Sequence, residues 1–530
     1  MPVILRSSKQ LGSIDKKMTW YGVTGTVGTL ENKYLFSDIG RQIETYFTNI
    51  REEWWDFGKI LSRTKHGNFA HTPTAASYNV DFGLMLAWCK LTQDVASKEE
   101  LVLVVCDDPW VYRQLGQISG VNSLRPPALW KKRAIYFFRG YFSRIKLVLK
   151  FLTALIIFRT SKSAFGHGKI SIIAYTHPDS KRDGFDVYFG SLIKELGGIN
   201  RFLHTDGSLK LAKSLSNDIT TSLHAWGSVW YLIPLLFRRW KINKENIKEE
   251  YRWLAERSVC IENGGGAIAS NAWQSHCQER WARATKPKII LWPWENHPWE
   301  RELVRVAKTL SVKTLGYQHA VIGPQQFNPG PRSNPDGFNS IPEKIICSGP
   351  AYYSQLLDWG MPADMLVIGG SFRYPPFNQN YYDSGGPIFV ATSSDTQITQ
   401  ELMAAVEKAA SKGYQFLIKI HPLYPKKIMQ SKNITITQIG LRDQKGVSAL
   451  LYATGASGLE GLLAGLPTLR LRPADKVAIN VLPEGIEPII FSKENLAQTL
   501  SEAEKQDALD WKTIYSHVDI EMWRKLLAIS

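Results

Sequence analysis

The chain has 530 residues, too many for one ordinary hydrophobic core, which predicts two domains of roughly 200–300 residues each. Hydrophobic residues make up 44% and aromatic residues 12%, which excludes a disordered or fibrous protein. Lys and Arg exceed Asp and Glu by 64 − 48 = 16, so anionic partners are favoured. The five cysteines are scattered without CxxC spacing, which is typical of reduced thiols in a cytosolic setting.

The N-terminal segment, Met1 to Lys17, is polar and basic and lacks the apolar core of a signal peptide. The longest apolar run, Ile145 to Phe158, is interrupted by Lys146 and Lys150. It is shorter than the roughly 20 apolar residues that a membrane-spanning helix requires. The sequence therefore predicts a cytoplasmic protein without a spanning helix.

Two segments combine basic with aromatic residues. Lys131 to Ser163 contains nine Lys and Arg and no acid, and Trp226 to Lys244 has the same character. Such segments favour an anionic membrane leaflet, so we expect the protein to be peripheral at the inner membrane. The alternative is core helices with a solvated basic face. No nucleic-acid-binding module accompanies the charge, so nucleic acid is not an expected partner.

Short β-branched runs that end in polar or turn residues predict ten strands. They are Leu101–Cys106, Lys169–Tyr175, Lys288–Trp292, Lys313–Tyr317, Lys344–Cys347, Met365–Ile368, Pro387–Ala391, Gln415–Ile420, Ile434–Ile439 and Thr468–Arg472. Helical patterns alternate with them at Phe189–Leu196, Trp299–Leu310, Tyr352–Trp359, Thr396–Ser411, Val447–Tyr452, Leu459–Ala464 and Glu494–Glu504. This alternation predicts an α/β fold with parallel sheets covered by helices.

A dense run of Pro, Gly and Asn residues between Ile322 and Pro342 predicts a linker between two domains. We therefore expect one Rossmann-like domain in residues 1–335 and a second in residues 336–530. The final segment, Trp511 to Leu527, is helical and aromatic, and it is a candidate to pack back on the first domain.

The strand predicted over Gln415–Ile420 ends in His421, which is followed by Pro422. Proline stops the strand and favours an extended conformation at His421, at the sheet edge. An imidazole there can donate a hydrogen bond to a phosphate oxygen as a leaving group departs. Lys419 reaches the same edge in one of the two possible registers. A purely structural strand-end histidine is the alternative.

A small-residue turn, Thr454 to Gly458, precedes the helix predicted over Leu459–Ala464. Such a turn leaves the first helical N–H groups free, which favours an anion such as a phosphate. We expect Ser457 to contact the phosphate or to cap the helix. Glu460 either accepts two ribose hydroxyls or complements the helix dipole.

Two other strand ends offer groups that suit a phosphate. Ser393 and Ser394 follow the strand over Pro387–Ala391, and Arg373 follows the strand over Met365–Ile368. Because the carboxyl ends of parallel strands meet at one edge, we expect these side chains to join the same nucleotide site.

The densest block of the first domain is Trp292 to Glu300, with the sequence WPWENHPWE. It follows a strand and opens a helix, so Glu295 is predicted to project towards a cleft between the domains. Burial would raise the pKa of Glu295 into the range that suits a general base.

Substrate contacts are predicted around that carboxylate. Trp294 can stack on a sugar ring, Asn296 lies beside it, and Gln318 and His319 end the next strand. The alternative is that Asn296 or His297 caps the helix and that the tryptophans belong to the core.

Asp108 and Asp186 are further acids near predicted strand ends and are alternative bases. No cluster has metal-ligand spacing, and no strand end carries the Asp-x-Asp signature of metal-dependent sugar transferases. We therefore predict a metal-independent mechanism without a separate cofactor.

The two predicted Rossmann-like domains, the strand-end His421-Pro422 pair and the loop around Ser457 resemble the GT-B glycosyltransferases that use CMP-activated sugars. Bacterial sialyltransferases and capsule Kdo transferases are such enzymes. The block around Glu295 and the runs Gly316–His319 and Gly369–Tyr374 are similar to a family of bacterial surface-carbohydrate biosynthesis proteins.

The resemblance implies that His421 contacts the CMP phosphate, that Ser457 and Thr454 assist it, and that Glu460 holds the ribose. It also implies that an acid of the first domain deprotonates the acceptor hydroxyl for in-line attack. Glu295 is the preferred candidate for that acid, ahead of Asp108 and Asp186.

The sequence thus predicts an inverting, metal-independent glycosyltransferase of surface polysaccharide synthesis. It would move a nonulosonic-type sugar, such as a sialic acid or Kdo, from a CMP donor to a glycan or lipid-linked acceptor. One alternative is a CDP-polyol phosphotransferase of the teichoic-acid type. Another is a non-catalytic polysaccharide assembly protein with a relict nucleotide site.

Overall fold

The computed structural model describes residues 2–15, 17–25, 27–28, 30–74, 80–98, 101–159, 165, 168–377, 381–421, 427–444 and 446–529. Within these residues the strands form three sheets, and every pairing between neighbouring strands is parallel.

The N-terminal sheet contains β1 (Val3–Arg6), β2 (Trp20–Thr24), β3 (Val102–Cys106) and β4 (Val121–Ser123), in the order β2-β3-β1-β4. The central sheet contains β5 (Ile170–Ala174), β6 (Ile199–Leu203), β7 (Thr220–Ser222), β8 (Ile289–Pro293), β9 (Lys313–Gln318), β10 (Lys344–Cys347) and β11 (Leu366–Ile368). The C-terminal sheet contains β12 (Ile388–Ala391), β13 (Phe416–Lys419), β14 (Ile434–Thr437), β15 (Ala449–Tyr452), β16 (Thr468–Leu471) and β17 (Ile489–Phe491).

Helices connect and cover these strands. The first ten are α1 (Ile39–Asn49), α2 (Arg51–Ser62), α3 (Phe82–Ser97), α4 (Pro109–Leu115), α5 (Leu129–Phe158), α6 (Leu192–Leu196), α7 (Leu209–Leu215), α8 (Val229–Phe237), α9 (Glu249–Asn263) and α10 (Ala267–Thr285). The remaining helices are α11 (Pro298–Thr309), α12 (Pro350–Asp358), α13 (Thr396–Ala410), α14 (Ser457–Leu463), α15 (Leu496–Glu502), α16 (Trp511–Ile514) and α17 (Ile520–Leu526). Across the described ranges, none of these helices combines the length and apolar content needed to cross a bilayer.

The two larger sheets share one strand order. In the central sheet it is β11-β10-β9-β8-β5-β6-β7, and in the C-terminal sheet it is β14-β13-β12-β15-β16-β17. In each sheet the strand that comes first in the sequence, β5 or β12, lies inside the sheet, and later strands lie on both sides of it. A Rossmann-like sheet has the same arrangement. The predicted α/β fold with two Rossmann-like units is confirmed. The order reverses between β5 and β8 and between β12 and β15, where ligands of such sheets bind.

The division predicted near residue 335 falls inside the central sheet. β10 pairs with β9 and β11 pairs with β10, so the change of sheet comes after β11. The Pro- and Gly-rich segment connects two neighbouring strands and is buried, with Phe327 and Asn334 fully inaccessible. The Trp55 indole donates to the Phe327 carbonyl over 2.7 Å, which fixes this connection against α2.

The helix predicted over Val447–Tyr452 is wrong, because these residues contain β15. All four residues of β15 are buried, since the strand lies between β12 and β16 with helices on both faces. A strand of that kind is apolar on both faces and has no alternation that separates it from a buried helix.

The C-terminal segment does lie against the central sheet, as two short helices. Trp523 of α17 is fully buried, and its indole donates to the Gly369 carbonyl over 2.9 Å. Lys313 of β9 donates to the Leu526 carbonyl over 3.0 Å. α17 therefore covers the central sheet.

An ion-pair cluster joins the N-terminal region to the C-terminal sheet. The Glu44 carboxylate on α1 accepts from Arg470 over 2.6 Å and from Arg472 over 2.8 Å. A side chain at Gly40 would meet the Pro473 carbonyl at 2.5 Å, so glycine allows α1 to approach this closely.

We predict that Trp523→Ala lowers the free energy of unfolding by about 3–5 kcal/mol, because it removes a fully buried indole and leaves a cavity. Lys525→Ala, at an exposed position of the same helix, should change it by less than about 0.5 kcal/mol. Urea unfolding followed by tryptophan fluorescence measures both. Equal stability of the two variants would contradict the packing of α17 on the central sheet.

Candidate active site

The strand order of the central sheet reverses between β5 and β8, and a polar cluster lies at the carboxyl end of these strands. Glu295 follows β8 as predicted. Its carboxylate lies 2.7 Å from Nε2 of His297 and 3.6 Å from Nε2 of His319. Its side chain keeps 22% of its exposure, so it can still reach a ligand.

The carboxylate of Glu300 fixes the loop that carries Glu295. It accepts the backbone N–H of Glu295 at 3.0 Å, of Asn296 at 3.0 Å and of His297 at 3.1 Å. The Trp292 indole donates to the same carboxylate over 2.9 Å. Burial raises the pKa of Glu300 to about 7, whereas these four donors favour its ionised form.

The predicted rise in the pKa of Glu295 is wrong. Burial does oppose ionisation of this carboxyl, but the hydrogen bond to His297 and the positive potential of His297, His319 and Arg373 outweigh it. The pKa of Glu295 falls to about 2. The pKa of His297 is raised, because Glu295 overcomes the effect of its burial. Each group therefore stabilises the charged form of the other.

His319 is neutral in this cluster. It is only 4% exposed, and burial lowers its pKa to about 3. Arg373 lies 3.1 Å from Nδ1 of His319, and because a guanidinium only donates, Nδ1 is the acceptor. The imidazole proton then resides on Nε2, the nitrogen that faces Glu295. Tyr188 packs edge-on against the His319 ring and also lies under the Arg373 guanidinium.

A second histidine–carboxylate pair lies at the same sheet edge and was not predicted. Nδ1 of His204 is 2.7 Å from the Asp206 carboxylate, directly after β6. The His204 ring packs against Tyr175 and Trp299, which links it to the Glu295 cluster. The signal in the sequence is the run His-Thr-Asp-Gly, but β6 itself was not recognised as a strand.

Several buried polar atoms at this edge have no hydrogen-bond partner in the described protein. They are Thr176 Oγ1, His204 Nε2, Thr205 Oγ1, Trp294 Nε1, His319 Nε2 and Asn328 Oδ1. Buried polar groups are nearly always satisfied by protein, ordered water or a ligand. The edge is therefore equipped to bind a polar molecule.

The C-terminal sheet reverses its order between β12 and β15, next to the predicted nucleotide loops. Thr392 accepts the backbone N–H of His421 over 2.9 Å, which joins the ends of β12 and β13. Burial lowers the pKa of the His421 imidazole, so it is neutral at pH 7. Ser393 is buried and accepts the N–H of Asp395 at 3.1 Å, whereas Ser394 is exposed.

The loop after β15 is close-packed. Thr454 donates to the Ile479 carbonyl over 2.8 Å. Ser457 is the first residue of α14, and Ala456 before it provides no side-chain cap. A side chain at Gly458 would meet the Tyr452 ring at 2.2 Å, so only glycine fits there.

Glu460 and Arg442 connect the two sheet edges. Nε of Arg442 donates to Glu460 over 3.0 Å, and its Nη1 donates to the Pro375 carbonyl over 2.7 Å. The guanidinium also stacks on Phe377 at 4.0 Å. Burial raises the pKa of Glu460, against the opposing charges of Arg442 and Arg373. The segment from Arg373 to Phe377 thus links the His319 cluster to Arg442, and Arg373 lies close enough to Glu460 to lower its pKa.

Arg373 was predicted to belong to the nucleotide loops of the second domain. It follows β11, which is a strand of the central sheet, and it therefore contacts His319 instead. Lys419 donates to the Gln438 carbonyl, at the end of the neighbouring β14. Pro422 lies outside the described residues.

The two alternative bases do not join the cluster. Asp108 caps α4 by accepting from Trp110 and Val111, and its second oxygen pairs with Arg257 at 2.8 Å. Asp186 is fully buried and pairs with the equally buried Arg201 at 3.4 Å. Both carboxylates are committed to structural contacts.

Three predicted substrate contacts are likewise structural. Trp294 is only 2% exposed and packs on Gly316, so it cannot stack on a sugar. Asn296 is fully buried, adopts a left-handed φ of 58° and donates to Asn328 and Asn334.

Gln318 accepts from the backbone and the hydroxyl of Ser348, both at 3.0 Å, and donates to the Ala320 carbonyl. It ties β9 to β10 and has no free group for a ligand. Among the described residues, no three His, Cys, Asp or Glu side chains are grouped in a way that could hold a metal ion.

Comparison with known proteins gives distant structural likeness only. No family model and no curated protein matches the chain. UDP-GlcNAc 2-epimerase from Neisseria meningitidis bound to UDP-GlcNAc is similar, with 11% identity over 68% of this chain and 100% of that chain and a TM-score of 0.39. The glycosyltransferase SnogD from Streptomyces nogalater is similar at 12% identity, over 68% and 95% of the two chains, with a TM-score of 0.36.

MurG from Acinetobacter baumannii is similar at 10% identity, over 68% of this chain and 99% of that chain, with a TM-score of 0.36. Such low identities and TM-scores establish neither a family nor an activity. The fold assignment therefore rests on the strand order of the sheets and not on these similarities.

The Glu295–His297 pair predicts a characteristic dependence of stability on pH. The pKa of Glu295 is lowered on folding, so its contribution is present above its unfolded pKa near 4.5 and is lost as the pH falls through about 2. The pKa of His297 is raised, so its contribution is present below 6.5 and is lost as the pH rises through its folded pKa.

We expect His297→Gln to be most destabilising between the ordinary pKa values of the two side chains, 4.5 for Glu and 6.5 for His, near about pH 5.5. It should be less destabilising near about pH 8.5. Denaturant unfolding at the two pH values measures this difference. His517→Gln, at an exposed histidine outside the cluster, is the control, and its cost at each pH is the baseline. A His297→Gln cost that grows towards pH 8.5 would show that the pair is not an ion pair.

Proposed function

We propose that the protein is a glycosyltransferase that moves a sugar from a nucleotide donor to a hydroxyl acceptor. The observation that carries this proposal is the link between two Rossmann-like sheet edges through Arg373 and Arg442. One edge carries the ionised Glu295 with its histidines, and the other carries His421 and the Ser457 loop. The contact of Arg442 with both Glu460 and Pro375 supports a shared site between them.

The donor nucleotide occupies the edge of the C-terminal sheet, where its strand order reverses. Neutral His421 donates a hydrogen bond to the phosphate, and the hydroxyls of Ser394 and Ser457 lie on the neighbouring loops. Arg442 supplies a cation at the same edge, and Glu460 accepts a ribose hydroxyl. Together these donors stabilise the charge that develops on the departing phosphate.

The acceptor hydroxyl binds at the edge of the central sheet against Glu295. The bond between the anomeric carbon and the phosphate oxygen breaks as the bond to the acceptor oxygen forms, and the hydroxyl proton passes to Glu295. In an oxocarbenium-like transition state the acceptor hydroxyl becomes acidic as its oxygen bonds to the anomeric carbon. A carboxylate of low pKa can therefore accept the proton after most of that bond has formed. His297 keeps that carboxylate ionised and oriented.

The finer proposal is a CMP-linked nonulosonic sugar as donor and a glycan or lipid-linked acceptor. It rests on the similarity of residues around His421 and Ser457 to CMP-sugar transferases. Turnover of radiolabelled CMP-sugars, UDP-sugars and CDP-polyols by the same preparation separates the classes. Release of CMP from the sugar donor supports the proposal. If only UDP-sugars are turned over, the proposed donor is wrong and a UDP-sugar takes its place. If only the CDP-polyol is turned over, the protein is a phosphotransferase and not a glycosyltransferase.

We predict that His421→Ala lowers kcat by roughly 10²–10³-fold, because it removes a hydrogen bond made to the leaving phosphate. His66→Ala, at a histidine outside both edges, is the matched control and should retain full activity. Steady-state kinetics with the active donor measures both. Near-normal turnover of His421→Ala would remove this imidazole from the mechanism.

We predict that Glu295→Gln lowers kcat by about 10²–10⁴-fold, because the amide cannot accept the hydroxyl proton. The dissociation constant of the nucleotide, measured by calorimetry, should stay unchanged because the donor occupies the other edge. Asp179→Asn changes an exposed carboxylate at the same sheet edge and should have little effect. Full activity of Glu295→Gln, or lost nucleotide binding, would refute its assignment as the base.

A further inference from the structure

A stripe of apolar side chains runs along the solvent side of α5. Its members are Phe138, Phe142, Leu149, Leu152 and Ile156, each spaced three, four or seven residues from the next and each exposed, Phe142 to 67%. The opposite side of the helix is buried, with Gly140, Arg144, Phe151, Ala154 and Phe158 against the protein. At a rise of 1.5 Å per residue the helix is about 45 Å long. A helix on the surface of a soluble protein normally exposes polar side chains to water. α5 instead exposes apolar side chains on its solvent side.

The neighbouring α8 extends this apolar face. Trp230, Ile233 and Phe237 are exposed at helical spacing, Trp230 to 80%. Arg144 of α5 donates to the Leu236 carbonyl over 2.9 Å, and Arg239 lies over the Phe137 ring at 5.1 Å. These contacts hold the two helices side by side, so their exposed side chains form one surface, the α5–α8 face.

Positive charge borders the α5–α8 face. Lys131, Lys132, Arg139 and Lys146 are exposed on α5, and α5 has no acidic residue in its whole length. Beside the stripe, a cavity of about 690 Å³ is lined by Arg133, Arg239, Lys241 and Lys244. Glu256 is the one acid among its lining residues and pairs with two of these cations. Apolar side chains beside cations match the acyl and phosphate layers of an anionic bilayer.

We propose that the α5–α8 face docks on a bilayer that contains anionic lipids, with α5 lying along the membrane plane and lipid phosphates entering the basic cavity. A second copy of the chain fits less well, because a symmetric pairing would bring the basic borders together. A nucleic acid fits less well, because its phosphates leave the apolar stripe unburied.

The face lies next to the candidate active site. Lys150 of α5 donates to the Asp206 carbonyl over 2.8 Å, at the sheet edge that carries the second histidine–carboxylate pair. If the proposed glycosyl transfer is correct, a lipid-linked acceptor would reach Glu295 from this membrane. Docking itself needs no activity and is tested without a donor or acceptor.

The experiment is flotation of the full chain with vesicles of phosphatidylcholine alone or mixed with phosphatidylglycerol. We expect binding to the anionic vesicles that weakens as salt screens the lysines and arginines. The triple variant Phe138→Ser, Phe142→Ser and Ile156→Ser should lower the partition coefficient by about tenfold or more. Phe338→Ser removes an exposed phenylalanine elsewhere and is the control, expected to float like the wild type.

A second variant keeps the apolar stripe and reverses charge. Lys132→Glu with Lys146→Glu should lose binding to anionic vesicles and retain its thermal unfolding midpoint, because both side chains are exposed. Wild-type protein that does not float with anionic vesicles would overturn the proposal. So would floating of both variants like the wild type, or a wild-type dimer that the triple serine variant converts to a monomer. Loss of docking with normal donor turnover in solution would leave the proposed reaction intact.

Discussion

The hydrogen bonds to the Glu300 carboxylate determine the geometry of the candidate active site. Three consecutive backbone N–H groups after β8 and the Trp292 indole converge on this one buried side chain. The turn this requires places Asn296 at a positive φ, which asparagine tolerates better than most residues. Glu295 and His297 consequently leave the turn on the side of the sheet edge and meet at 2.7 Å. Without Glu300 the loop would have buried N–H groups without acceptors.

The electrostatics of the site follow from that turn. Glu295 is held among His297, His319 and Arg373, so its charge is stabilised in spite of burial. Arg373 continues into a segment that Arg442 binds from the C-terminal sheet. The same strand order in both sheets places Glu295, after β8, and the Ser457 loop, after β15, where each order reverses. A carboxylate on one side and a neutral imidazole with hydroxyls on the other are the groups that transfer of a sugar from phosphate to hydroxyl requires.

Much of this arrangement is predictable from the sequence. Buried β-branched runs identify most strands of the two larger sheets, and the positions of Glu295 and His421 at strand ends follow directly from them. The domain boundary was not predictable, because a Pro- and Gly-rich connection inside one sheet has the same composition as a linker. β6 does not have the pattern of a buried strand, because it contains the charged residue Arg201. The ion-pair partner of Arg201 is Asp186, in the loop between β5 and α6. The lowered pKa of Glu295 depends first on its hydrogen bond to His297 and then on the charges of His319 and Arg373, which only tertiary structure brings near.

The central claim is that a nucleotide donor binds at the edge of the C-terminal sheet and faces Glu295. A crystal structure of the protein soaked with CMP tests the site and the nucleotide together. The account predicts the phosphate within hydrogen-bonding distance of His421 and the Ser457 loop, with the ribose at Glu460. CMP bound at any other surface, or UDP bound at this edge where CMP is not, would contradict the account as stated.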